Sequence, residues 1–405
     1  MKVLIPVAVV VCGLCMAVQP AFAQAWTQTS APSNQWNSVA SSADGTKLVV
    51  VAAGEVCIST NSGATWKPNN LSVGAWPAVA SSADGIKLVV VDGYGQIYTS
   101  TNSGMSWATN SLPNQVLRAV VSSTDGSKLV TVVFEGGVFT SSDSGSTWQP
   151  TSAPTNNWTC IASSSDGAKL VAAVGGGGPG PVYTSTNSGS TWMQAGAPSN
   201  SWQSVSSSAD GSKLAAVSSM AFINGQWDYR TAIYTSTNFG AAWVSNSIPG
   251  GGFQAWQSVA SSADGNTLLA VAQSHTMYVS TNAGATWISN SVPDRIWSAA
   301  ASSADGNMLV AAAIYTGTPP NTSPGAVYTS YSTPAPRLNL TPSSNNLALS
   351  WLVPSTNFVL QQNLNLNAGS WVTQTNIPVL NFTNLQNQVI LSPSDSSGFF
   401  RLMAQ

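Results

Sequence analysis

Short apolar runs alternate with polar turns along most of this chain. Leu48-Val-Val-Val-Ala52 is followed by a glycine turn, by Val56-Cys-Ile58, and then by Ser-Thr-Asn-Ser-Gly. Runs rich in Val, Ile and Leu, bounded by Asp-Gly and Asn-Ser-Gly, predict β-strands joined by tight turns. One unit reads as strand a from Trp36, strand b from Lys47 to Val51, strand c from Val56 to Thr60, and strand d from Trp66. The unit recurs. Ser-Ser-X-Asp-Gly occurs seven times, with aspartates at 44, 84, 125, 166, 210, 264 and 305, in steps of 40, 41, 41, 44, 54 and 41 residues. A period in the low forties with four strands per unit predicts an all-β chain folded as a β-propeller, here with seven blades.

The seventh unit stops after Tyr328-Thr-Ser-Tyr-Ser-Thr333 and has no strand d. Ala25-Trp-Thr-Gln-Thr-Ser-Ala-Pro-Ser-Asn-Gln-Trp36 matches the strand d and connector of another unit, Thr191 to Trp202. The N-terminal strand is therefore expected to complete blade 7 and to remove two open sheet edges. Pro334-Ala-Pro336 reads as a linker, giving a propeller over 24–333 and a C-terminal module over 334–405. Alternation at Leu338/Leu340, Leu347/Leu349/Trp351 and Phe358/Leu360 predicts a small β-sandwich there.

The turn between strands c and d recurs as Ser-Thr-Asn-Ser-Gly-Ala-Thr-Trp66, with five further copies ending at Trp107, Trp148, Trp192, Trp243 and Trp287. It resembles the Asp-box of the bacterial neuraminidase repeat, Ser-x-Asp-x-Gly-x-Thr-Trp. Asn replaces the acid in five of the six copies; only Asp143 keeps it. Asn and Asp both bond their own backbone in turns and tolerate positive φ, so the box is expected to remain a structural turn. The resemblance implies a propeller of the sialidase, Asp-box glycosidase or photosystem II assembly factor type. Sialidases of that kind use an arginine triad, a Tyr–Glu pair and an acidic Asp. Here Arg118, Arg230 and Arg295 come from blades 3, 5 and 7, and the N-terminal Arg-Ile-Pro motif is absent. The basic docking patch of the assembly factor type is not visible either.

Composition narrows the partners. Of 405 residues only 6% are charged and the net charge is −2, so the dense basic face that nucleic acid requires is missing. With 43% hydrophobic residues and 16 Trp the chain can bury a core. Lys2, the apolar run from Val3 to Val18, and Ala21-Phe22-Ala23 predict a signal peptide over 1–23 and hence an exported, extracytoplasmic protein. No later segment is long and apolar enough to predict a membrane span. Cys57 and Cys160 fall in blades 1 and 4, across the ring, so both are expected free and buried.

Spacing separates the two faces of the ring. Trp (Leu117 in unit 3) to turn Asp is 8 residues in every unit, and strand c to box Trp is 9 in all six boxes. The a–b and c–d turns are thus invariant and share a face. From turn Asp to strand c the distance varies as 13, 14, 14, 17, 24, 14 and 23, and the d–a connector is 10 except for 13 between Trp243 and Trp256. The insertions therefore lie on the opposite face, in blades 4 to 7, and loops on a rigid scaffold are where binding residues concentrate.

That face gathers the uncommon side chains. Trp227, Tyr229, Arg230, Phe253 and Tyr315, with Phe222, are assigned to inserted loops of blades 5 to 7. Exposed aromatic rings stack on sugars and peptides; the competing reading is that they pin the long loops. Glu55, Asp92, Glu135 and Asp228, with Asp294, are candidate carboxylates, since glycoside hydrolysis takes two about 5–10 Å apart; the competing reading is solvated turn residues. The lone His275 has no companions for zinc, and Gly175-Gly-Gly-Gly-Pro-Gly-Pro181 lacks the Lys and helix of a phosphate loop. No metal or cofactor is expected. These residues point to an exported, monomeric, non-catalytic propeller that recognises a glycan or cell-surface protein through the loop face of blades 5 to 7. The alternative is a glycoside hydrolase using the loop-face carboxylates.

Overall fold

The computed structural model describes residues 25–331 except 70, 72, 76, 177, 224–225, 229–230, 250–253, 274–275, 291–294 and 317–322, and residues 338–404 except 344–345, 353–357, 364–371, 375–377, 382–385 and 392–398. Every regular element among them is a β-strand. Each of the first six repeat units forms one four-stranded antiparallel meander, called a blade below. In blade 1 the strands are Ser38–Ser41, Leu48–Ala52, Glu55–Ser59 and Lys67–Asn69. The seventh unit supplies Arg295–Ser302, Met308–Thr316 and Val327–Tyr331, and its fourth strand is Trp26–Gln28 from the other end of the chain. The pairing is antiparallel, with Trp26 opposite Ser330 and Gln28 opposite Tyr328. Each sheet is an open meander; none curls round to meet itself.

Strand b shows why its sequence is an unbroken apolar run. All five residues of Leu48–Ala52 are buried. Leu48, Val50 and Ala52 pack with Met308, Val310 and Ala312 of blade 7. Val49 and Val51, on the other face, pack with Val79, Leu88 and Val90 of blade 2. Period-2 alternation therefore feeds two apolar cores rather than one core and solvent. The strand-start tryptophans fill the same interfaces. Trp36, Trp158, Trp202 and Trp297 are fully buried, with Leu117 in the corresponding place in blade 3. Edge-on rings back several of them: Trp158 on Tyr183 at 5.3 Å, Trp202 on Tyr234 at 5.2 Å, and Trp297 on Tyr328 at 5.4 Å.

The Ser-Ser-X-Asp-Gly turn is held by its own side chains. Asp44 Oδ1 accepts from the Ser42 hydroxyl at 2.5 Å and from the Thr46 amide at 3.0 Å, while Ser42 Oγ accepts from the Lys47 amide at 3.0 Å. The X residues link the turns to one another. Ala43 N–H donates to Ala83 O, Ala83 to Thr124, Thr124 to Ser165, Ser165 to Ala209, Ala209 to Ala263 and Ala263 to Ala304. Ala304 N–H then donates to Ala43 O at 2.8 Å, returning the series to its start.

A second fastening joins neighbouring blades. The lysine after each turn reaches the next blade: Lys47 Nζ donates to Asp84 O at 2.8 Å, Lys128 to Asp166 O at 2.9 Å, Lys169 to Asp210 O at 2.8 Å, and Lys213 to Asp264 O at 2.8 Å. Its stem lies on the turn glycine of that blade, so a Cβ on Gly211 would sit 2.7 Å from Lys169 Cδ, and Gly211 also has φ +73°. Thr267 and Met308 take the lysine's place at the two junctions of blade 7.

In the c–d box, positive φ falls on the residue after Asn and on Gly: Ser62 at 56° and Gly63 at 86°. Asn61 instead accepts from the Thr65 amide and the Ser59 hydroxyl through Oδ1, and donates through Nδ2 to the Thr65 hydroxyl at 2.9 Å. At Asp143 the last bond reverses, with the Thr147 hydroxyl donating to Oδ2 at 2.7 Å. A hydroxyl can play either part, which is why the box tolerates both residues.

Residues after 338 form two further sheets. Asn346–Leu352 pairs with Asn339–Ser343 and Gln386–Leu391, with Val379–Asn381 outermost; Phe358–Asn363 lies between Val372–Thr373 and Phe399–Ala404. Leu349, Trp351, Leu360, Val389 and Leu391 make one core from both sheets. Leu340, read as inward from the alternation, is 41% exposed.

Candidate functional site

Glu55 is the first residue of strand c in blade 1, not a loop residue. Its carboxylate accepts from Asn34 Nδ2 on one oxygen and from the Cys57 thiol on the other, at 3.3 Å. It ties the connector that leads out of the N-terminal strand to blade 1. Cys57 is buried, and burial together with the neighbouring Glu55 pushes its thiol up to about 12. Cys160 is likewise free, buried and raised to about 12 by burial. Both thiols stay protonated and inert at neutral pH.

Asp92 overturns the picture of a solvated turn acid. It is 2% exposed and accepts three backbone N–H groups, from Gly74 at 2.9 Å, Tyr94 at 2.9 Å and Gln96 at 3.0 Å. Such a carboxylate organises a turn and joins it to the connector, with little lone-pair capacity left for substrate. A Cβ on Gly74 would meet the Tyr94 ring and Asp92 Oδ2 inside 3 Å, so a larger residue there would have to displace them. Glu135 is exposed at the tip of the b–c turn of blade 3 and has φ +55°. No hydrogen bond joins Glu55, Asp92 and Glu135 to one another.

The insertion in blade 5 is not all loop. Ala221–Ile223 and Gln226–Asp228 form a separate two-stranded sheet, with Phe222 opposite Trp227 and Ala221 opposite Asp228. Asn224-Gly225 between them is the strongest short hairpin signal in sequence and could have found it. The side chains of Phe222, Trp227 and Asp228 lie outside the described residues, as do Tyr229, Arg230, Phe253, His275 and Asp294. Tyr315 is not in an inserted loop. It belongs to a strand b lengthened to Met308–Thr316, opposite Ile296 and Pro324, and is half-buried. The apolar run Met308 to Ile314 carries the strand past the usual turn.

The described arginines have local work. The Arg118 guanidinium lies 4.9 Å over the Phe134 ring, and burial lowers its pKa. Arg295 Nε donates to the Tyr328 hydroxyl, which donates in turn to Gln28 Oε1 at 3.0 Å, tying blade 7 to the N-terminal strand. A bowl of about 170 Å³ is lined by serines and the X residues of the Ser-Ser-X-Asp-Gly turns, among them the first serine of each. Each of these first-serine hydroxyls, from Ser41 to Ser302, donates to the following carbonyl at 2.8–2.9 Å, so the bowl serves the turns. Among the described residues no three His, Cys, Asp or Glu side chains gather as metal ligands, and no helix is long and apolar enough to cross a membrane.

No family profile matches the chain, and no curated protein is similar in sequence. Solved structures are similar in shape. YCF48 bound to D1 peptide superposes with a TM-score of 0.57 at 15% identity, covering 78% of this chain and 98% of that one. Kuenenia stuttgartiensis hydrazine synthase gives 0.59 at 14%, covering 76% and 98%. The β-propeller domain of Myceliophteria thermophila Cps50 (Swd1) gives 0.57 at 13%, covering 76% and 100%. The chain has a β-propeller fold. At such identities the likeness carries the fold and nothing of the chemistry.

Proposed function

We propose that this propeller is a non-catalytic interaction module that presents the b–c and d–a loop face of blades 5 to 7 to an extended protein segment or a glycan. The observation that carries the reading is the Ala221–Asp228 hairpin, an added sheet on an otherwise repetitive scaffold, on the face where insertions concentrate. The employment of Glu55 and Asp92 by structural donors supports binding over hydrolysis. A solved propeller described as bound to a peptide, YCF48 with D1 peptide, supports a protein segment as partner. We read the scaffold as seven blades in a ring sealed by the N-terminal strand; the Trp26–Ser330 register and the returning series of turn hydrogen bonds support this. The Asp-box resemblance, the signal peptide over 1–23, export, a monomeric state and the division at 334 belong to the same reading.

The test is Trp227→Ala combined with Tyr229→Ala, assayed on peptide and glycan arrays against the unaltered protein. Loss of the captured ligands with an unchanged melting temperature supports the loop face. Undiminished capture overturns it.

A further inference from the structure

The repeats serve as controls for one another, and one junction departs from the rest on the face opposite the loops. At four other junctions a side chain from strand d, or from just after it, caps the box of the next blade. Asn69 Nδ2 donates to Gly104 O at 2.5 Å, Asn110 to Gly145 O at 3.1 Å, Ser152 to Ser190 O at 2.8 Å and Ser30 to Ala64 O at 2.8 Å. Between blades 4 and 5 that side chain is missing. The Gly196 main chain donates to Gly240 O at 2.9 Å instead, and a Cβ there would meet Ala241 O at 2.5 Å.

The box at this junction departs twice more. Its x residue is Phe239, where the other five boxes have Ser or Ala. Its hydroxyl position is Ala242, so Asn238 lacks the Thr or Ser partner that Asn61, Asn102, Asn187 and Asn282 each hold through Nδ2 at 2.8–2.9 Å. Phe239 and Asn238 line a single notch of about 360 Å³, with Met193 at 74% exposure on its rim and Thr184, Thr186 and Gln194 in its wall. No lining residue is charged. The nearby Lys169 is engaged by the Asp210 carbonyl at 2.8 Å and by the Phe239 ring at 5.5 Å.

We propose that this notch between blades 4 and 5 is a binding site for a neutral pyranose sugar, separate from the loop face. The ring of Phe239 offers an apolar surface for the C–H face of the sugar. The Asn238 amide, the Gln194 amide and the threonine hydroxyls supply neutral donors and acceptors for its hydroxyls. The uncharged wall offers an amine ligand no counter-charge for the hydration it would lose, and the one nearby ammonium, Lys169, is already engaged.

The probes are D-glucose, D-galactose, D-mannose and N-acetyl-D-glucosamine, titrated to about 20 mM, above the millimolar range expected of one stacked ring. Saturation-transfer NMR reads the binding. Phe239→Ser and Ala242→Thr restore the box of the neighbouring blades, so both variants keep the fold. Phe239→Ser should weaken the best sugar by about tenfold or more, and Ala242→Thr should weaken it by occupying the Asn238 amide. Trp227→Ala with Tyr229→Ala should leave it unchanged. Failure of all four sugars to bind overturns the proposal. So does unaltered binding in Phe239→Ser, and so does loss of binding in the loop-face variant alone.

Discussion

Asp305 is the turn aspartate whose surroundings differ most from those of its repeats. It keeps the Ser303 hydroxyl and Asn307 amide bonds of the motif, yet burial raises its pKa from 3.8 to about 6. Asp125 has the matching bonds. Burial alone would raise it too, but the Ser123 and Ser127 hydrogen bonds and the Lys87 charge bring it down to about 2. The preceding blade offers Thr267 at the turn of Asp305, where the turns of Asp84, Asp125, Asp166, Asp210 and Asp264 each receive a lysine. Below pH ~4 Asp305 is protonated in both folded and unfolded chains and carries no penalty. Between pH ~4 and ~6 the unfolded chain ionises first, so stability from this group is lost as pH rises, and above pH ~6 the loss is complete. A shift of ~2 units at ~1.36 kcal/mol each gives ~3 kcal/mol; relaxation and the effective interior dielectric reduce the expected effect to ~1–2 kcal/mol. Asp305→Asn removes the charge and keeps an acceptor for Ser303, while the Asn307 amide can turn to present its oxygen. Urea unfolding from pH 3.5 to 8 should show the variant matching the parent near pH 3.5 and exceeding it by ~1–2 kcal/mol at pH 8. A difference that does not change with pH, or a variant weaker at pH 8 than at pH 3.5, refutes the reasoning.

Asp143→Asn should leave the melting temperature unchanged near neutral pH, because Asn holds the same turn in the other boxes by reversing one bond to a hydroxyl. The hydrogen bonds from Thr147 and Ser141 hold the Asp143 carboxyl at about 2, so the parent should weaken more than the variant as pH falls from 4 towards 2; scanning calorimetry of both proteins at both ends of that range checks it. Gly211→Ala should cost about 1–3 kcal/mol, combining a left-handed φ of +73° with a Cβ against the Lys169 stem. A loss under about 0.5 kcal/mol in urea unfolding would contradict that clash. Trp202→Ala should cost about 3–5 kcal/mol, since it empties a fully buried site, frees Tyr234 and removes the bond from Nε1 to Gly180 O at 3.0 Å.

What the sequence made legible follows from how local each rule is. The a–b and c–d turns close their hydrogen bonds within five residues, as Ser42, Asp44 and Lys47 do. Any repeat carrying the motif therefore folds the turn alike. The strand b alternation was equally readable, although its meaning is two cores and not one. The lysines illustrate the opposite case. Lys169 stands by its own turn in sequence, but its partner is the Asp210 carbonyl of the next blade, forty-one residues on. Glu55 and Asp92 were legible as acids on the variable face and not as acceptors for Asn34 and Gly74, because those donors arrive from a connector. The blade 5 hairpin lies within reach of the Asn224-Gly225 signal, because that dipeptide is a purely local cue.

Internal repetition supplies what is otherwise missing, a reference for every position. Where repeats agree, the shared residue answers to the ring: the turn glycine has a lysine stem upon it, and the box glycine has a left-handed φ. Where a single repeat departs, the ring imposes no such demand on the substitute. Phe239 occupies a position that Ser62 and Ala283 fill with the same backbone bond to a preceding turn and nearly the same φ, 53° against 56° for each. The backbone does not require an aromatic ring there. Phe239 packs in part against the core between blades 4 and 5 and under Lys169, and the rest of it stays open beside the exposed Met193. The coincidence of Phe239, Ala242 and Gly196 at one junction sets that notch apart from the serine-lined bowl, where the repeats agree.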